Sequence, residues 1–142
     1  MNPTYTLPEF PLTFHRVLRF SSIDGGTPEA PIVRYEEYDQ ELGRETTRGI
    51  ALIVRNGNEV VYCDAFSNIM FARKWLYTLH EYVFHSIRKK IAKEFYESES
   101  LEVYILNEEK LKAQLGQHTN PWVSASSIEE RLIIDLHPAW NF

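Results

Sequence analysis

The string His80-Glu81-Tyr82-Val83-Phe84-His85 holds two imidazoles and a carboxylate, the residue types of a helical zinc motif, but not at that motif's spacing. Histidines four apart share one helix face and can close on one ion; five apart, they stand about 140° around the axis and diverge. The string reads as two partly buried helix histidines, and neither a metal nor any other cofactor is implied. His15 and Cys63 supply the types of a nucleophilic pair. Cys63, though, sits in an apolar alternating stretch where cysteine behaves as a small buried hydrophobe, with nothing nearby to hold it as a thiolate. Asp24-Gly25-Gly26-Thr27 offers the two glycines of an anion-cradling loop without the lysine and following helix that complete one. Glu36-Glu37 and Glu129-Glu130 are adjacent in sequence, so in extended chain they point to opposite faces and form no acid-base pair.

Two features outlast these exclusions. One is an acidic ribbon interleaved with aromatic rings, Tyr35, Glu36, Glu37, Tyr38, Asp39, Glu41 and Glu45. The other is the aromatic load of three Trp, eight Tyr and eight Phe, with Trp122 and Trp140 in irregular segments near the C-terminus. Tyrosine and tryptophan in loops beside charge are what protein interfaces favour. The expected function is therefore a non-catalytic protein-binding module of the inhibitor, immunity or adaptor kind. Its partner is another protein, or a second copy of the chain in a homodimer. The alternative is a small-ligand-binding domain or hydrolase whose pocket lies between sheet and helix, lined by His15, Arg48, Tyr62 and His80.

These side chains need a scaffold, and the pattern of apolar residues supplies one. Residues 1–12, with Pro3, Pro8 and Pro11, read as an extended arm. Thr13 to Phe20 alternates as a strand, with Phe14, Arg16, Leu18 and Phe20 on one side. Ser21 to Pro31 is a loop, and Ile32 to Gln40 resumes an extended pattern toward a turn at Glu41 to Arg44. Asn56-Gly57, flanked by Gly49 to Val54 and Glu59 to Cys63, is the clearest hairpin signal, because both residues tolerate the positive φ of a type I′ turn. A two-residue turn there pairs Ile53 with Val60 and Leu52 with Val61, in the middle of the sheet. After Ser67 the chain runs to about Glu97 without proline or glycine, and Ile69, Ala72, Leu76, Leu79 and Val83 recur at helical spacing, predicting one long helix. Leu101 to Leu106 reads as a returning strand and Glu108 to Leu115 as a short helix ended by Gly116. Residues 127–136 pull two ways. Ser127-Ile128-Glu129-Glu130 suits a helix start, whereas Leu132-Ile133-Ile134 favours extended chain by side-chain branching, so a helix start followed by an extended tail is expected. The expected fold is α+β: an antiparallel sheet, a meander of about four strands plus a later one, packed against one long central helix, with a short C-terminal helix.

Composition agrees with one domain over residues 1–142, a length at which a chain buries about two thirds of its unfolded surface and needs no staples. The single cysteine forbids an intrachain disulfide, and the N-terminus lacks the basic and apolar regions of a secretory signal, so a cytoplasmic location is expected. No stretch approaches the ~20 apolar residues of a membrane span. A formal charge of −5 argues against nucleic acid as a partner, since duplex binding by counterion release needs concentrated Lys and Arg. Arg88, Lys89, Lys90 and Lys93 form the one basic cluster, and it suits the negative end of the long helix.

Overall fold

The computed structural model describes residues 4–7, 11–23, 32–38, 47–66, 101–117, 120–139 and 141. Within them lie six strands, β1 (Thr4–Thr6), β2 (Thr13–Ile23), β3 (Ile32–Glu37), β4 (Gly49–Arg55), β5 (Glu59–Phe66) and β6 (Leu101–Asn107), and two helices, α1 (Glu108–Leu115) and α2 (Ala125–Leu136). The chain forms an α+β fold around one antiparallel sheet. The long helix expected after Ser67, the turn at Glu41 to Arg44 and most of the loop from Ser21 to Pro31 lie outside the described residues; Ser21 to Ile23 extend β2.

The sheet is not a meander. Its order is β1-β2-β6-β4-β5, with β3 also on β2. Strand β2 is long enough to carry two short partners end to end along one edge: β1 opposite Thr13 to His15 and β3 opposite Leu18 to Ile23. Strand β6, last in the chain, runs between β2 and β4. Sequential strands usually neighbour one another, but here apolar character decides. All seven residues of β6 are buried, as are six of the seven in β4, so both strands take central positions where both faces are covered. The hairpin is thus central only through β4; β5 ends the described sheet. Among its side chains Tyr62 and Asp64 keep partial exposure. The backbone on this strand's outer side is occupied: Asn141 bonds both the N–H and the carbonyl of Cys63, and the Glu129 carboxylate accepts from the Ala65 N–H. Side chains thereby blunt an edge that would otherwise template pairing.

Two bulges revise the expected faces. Register shifts between Arg16 and Leu18, leaving Phe14 and Arg16 on one face and Leu18 on the other. A second shift falls after Ile53. The Asn56-Gly57 bend is present, with φ of 52° and 77°, and the Asn58 N–H donates to the Arg55 carbonyl. Arg55 nevertheless pairs with Glu59, so the loop is one residue longer than expected; beyond the bulge Ile53 faces Tyr62 and Leu52 faces Cys63.

Both helices pack on the face that carries Phe14, Leu52 and Leu106. Asn107 ends β6 and at once caps α1, its side chain accepting from the Lys110 N–H at 2.8 Å. The helix stops at Gly116, whose φ of 66° is left-handed. Gly116→Ala is expected to destabilise the fold by about 1 kcal/mol, read from the urea midpoint, because a Cβ is disfavoured in that conformation although nothing crowds it. Residues 125–136 are helical throughout. Ser124, not Ser127, is the N-cap, and Ser127 returns the bond from the third helical position. Ala125, Ile128 and Leu132 fall on one stripe and bury against the sheet, and that burial outweighs the strand preference of Leu132-Ile133-Ile134. The extended arm is anchored as well: Thr4–Thr6 pairs with β2, and Leu7 and Leu12 are buried.

Candidate functional site

The acidic ribbon follows from β3. Glu36 is exposed on it, and Tyr35 and Glu37 are registered opposite Phe20 and Leu18. Tyr38, which follows the strand, is half-buried. Its N–H bonds the carbonyl of the bulged Val17, its ring lies 3.7 Å over the Arg16 guanidinium, and its hydroxyl donates to Glu36 at 2.8 Å. Burial, and then the bond to Glu36, push its phenol above the usual value. Asp39, Glu41 and Glu45 lie outside the described residues, as does Trp140.

Trp122 is 86% exposed, the most exposed large apolar side chain among the described residues. At that exposure the ring does not pin its turn onto the core. The turn that carries it is held by hydrogen bonds: the Trp122 N–H donates to the Asn120 side chain at 2.9 Å, the Val123 N–H to the Asn120 carbonyl, and the Asn120 side chain to Gln117. The ring therefore stands on a bonded turn between two helices, with exposed Pro121, Ser126 and Ser127 near it in sequence.

Of the residues named for the alternative pocket, the described ones stand apart in the sheet. His15 and Tyr62 lie on β2 and β5, three strand spacings apart, about 14 Å. The Tyr62 hydroxyl is engaged by Asp64 at 3.0 Å. Arg48 precedes β4 and lines a separate cleft of about 430 Å³ with Ala65, Phe66, Ala125 and Ser126. His80 is outside the described residues.

A different cleft, not foreseen from sequence, opens on the helix-bearing face. It has a volume of about 440 Å³ and is lined by Thr4, Tyr5, Thr6, Arg16, Gly57, Glu102 and Tyr104. Its floor is a buried ion pair, Arg16 Nη1 to Glu102 Oε2 at 2.9 Å, with side chains 7% and 12% exposed. The Tyr104 hydroxyl donates more weakly to the same carboxylate at 3.4 Å, and burial together with that charge raises its phenol to about 12. Tyr5 packs on Tyr104, ring centres 5.6 Å apart and tilted by 52°. Among the described residues the buried Arg16 Nε has no hydrogen-bond partner. One signal was available in sequence: a charge at an inward register position on each of two apolar strands.

Cys63 is buried, and burial and then the Glu129 charge push its thiol well above the ordinary range, which fits the inert small hydrophobe expected. Asp64 and Glu129 are both raised, chiefly by burial. A carboxylate whose folded pKa exceeds its unfolded value stabilises the fold below the unfolded pKa, about 4, and that contribution is lost as pH rises through the folded one. Asp64→Asn, which keeps an acceptor for Tyr62, should therefore gain more stability over the parent chain at about pH 7 than at about pH 4, checked by urea unfolding at both. Among the described residues no group of three His, Cys, Asp or Glu is placed to hold a metal, and no helix is long and apolar enough to cross a membrane.

The geometry defines an α+β domain with an exposed tryptophan turn and a polar cleft. A scan against protein-family models finds no match to the chain, and searches of curated proteins and of solved structures find none either.

Proposed function

We propose that the chain is a non-catalytic protein-binding module whose contact surface is centred on Trp122. The exposure of that ring on a hydrogen-bonded turn carries the reading. A tryptophan side chain can bury up to about 250 Å², and at ~25 cal/mol per Å² leaving most of it in water forgoes on the order of 5 kcal/mol. A partner that covers it recovers that contribution, and a turn already ordered loses little entropy on binding. A central aromatic anchor within a polar surround is the anatomy of an interface hot spot. Glu36 and the net charge of −5 add a steering field toward a basic surface, with Glu37 and Tyr35 on the same strand.

The test compares the parent chain with Trp122→Ala as baits in native-cell extract by quantitative mass spectrometry, alongside sedimentation of each. The reading expects a protein, or a second copy of the chain, held by the parent and weakened at least about 30-fold by Trp122→Ala, which is about 2 kcal/mol. Identical captured sets and identical monomeric sedimentation for the two chains would overturn it.

A further inference from the structure

We infer that the cleft floored by Arg16 and Glu102 is a binding site for a neutral polyhydroxylated ligand of mono- to disaccharide size. Four observations converge on this chemistry. The floor presents one cation and one anion 2.9 Å apart, so its formal charge cancels and it offers nothing special to a phosphate or carboxylate. It offers instead a donor beside an acceptor. A vicinal diol answers both, because each hydroxyl can give its proton to the Glu102 carboxylate or accept from the Arg16 guanidinium.

The wall is aromatic. Tyr5 and the buried Tyr104 lie tilted at 52° to each other, an angle that leaves no parallel slot for a flat base, while the partly exposed Tyr5 ring can meet the C–H face of a sugar. Thr4 and Thr6 bring polar groups to the rim, Gly57 brings the hairpin bend to it without a side chain, and the volume of about 440 Å³ is within the range of small-ligand sites.

The ion pair has no evident purpose in stability. Burying two charges costs about as much as their attraction returns, and apolar residues of similar volume often do better. Here the burial is also incomplete in its bonding, since Arg16, 93% buried by its side-chain exposure of 7%, keeps an unpartnered Nε. Such a donor costs about 1–3 kcal/mol. A ligand oxygen that draws the guanidinium toward the opening removes that cost.

The Arg16 Nε–H gives a resonance of its own in nitrogen-15 spectra of the full chain, so the experiment reads the site directly. The probes are glucose, N-acetylglucosamine and maltose, with adenosine and inorganic phosphate as comparators. At least one sugar should produce saturable shifts at Arg16 Nε and at the amides of Thr4 to Thr6 and Gly57. Tyr5→Leu, which removes the stacking ring and leaves the ion pair, should weaken that binding at least tenfold while the remaining amide spectrum stays folded. Saturation by adenosine or phosphate in place of the sugars overturns the assignment, as does the absence of a saturable shift with any sugar, or sugar binding that Tyr5→Leu leaves unchanged.

Discussion

Glu102→Ala is expected to lower the unfolding free energy by about 3–5 kcal/mol, because it leaves the Arg16 guanidinium buried without its counter-charge. The cost has two parts. Arg16 loses the 2.9 Å bond on Nη1 while its Nε is already unpartnered, and Tyr104 loses the acceptor for its hydroxyl. The paired change Arg16→Met with Glu102→Leu removes both charges together and should return stability to within about 1 kcal/mol of the parent chain or above it, since a buried pair and its apolar replacement come out nearly even. Urea unfolding of the three chains checks this. A single variant as stable as the parent would mean that the pair is not buried as described.

The second large effect is expected in the apolar core. Leu52 is fully buried on β4, opposite Cys63 on one side and Tyr104 on the other, and it contributes to the layer beneath the helices. Leu52→Ala should cost about 3–5 kcal/mol, the lost transfer energy plus the cavity that two hydrogen-bonded neighbours cannot close. Ile134→Ala on α2, where the side chain is 67% exposed, supplies the contrast; it should change stability by less than about 0.5 kcal/mol. Thermal and urea unfolding of both variants measure the difference.

The parts of this fold that were legible in sequence are those written in local chemistry. Asn56-Gly57 bends the chain with two positive φ angles because few other pairs adopt them. Gly116 ends α1 for the same reason, and Leu101 to Leu106 forms a strand because its alternating β-branched and aromatic residues suit one. What was misread depends on partners remote in the chain. A bulge at Val17 or after Ile53 has no residue signature, so the register and the face of Leu18 were set by neighbours the pattern does not display. The central place of β6 follows from a comparison among all the strands. Ser124 and Ser127 both suit a cap, and the helix takes Ser124, with Ser127 completing the capping box from the third position.

The candidate sites divide in the same way. Trp122 was legible as a loop aromatic beside polar residues, but its exposure, and the Asn120 bonds that order its turn, were not. Tyr38 looked like an outward aromatic in an acidic ribbon; the bulge at Val17 brings its ring onto Arg16 instead. Arg16 and Glu102 are separated by 86 positions, and nothing short of the sheet order brings them together. His15 and Tyr62 share only residue types suited to a pocket and are held apart by the two strands between them.

The polar cleft, the helix-bearing face and the start of α1 that leads to the Trp122 turn all rest on β6 running between β2 and β4. Cross-strand nuclear Overhauser contacts in the full chain measure that placement directly. The topology predicts backbone contacts from β2 to β6, as His15 to Ile105, and from β6 to β4, as Ile105 to Ala51, with none passing straight from β2 to β4. Direct β2 to β4 backbone contacts, with β6 found along an outer edge, would contradict it.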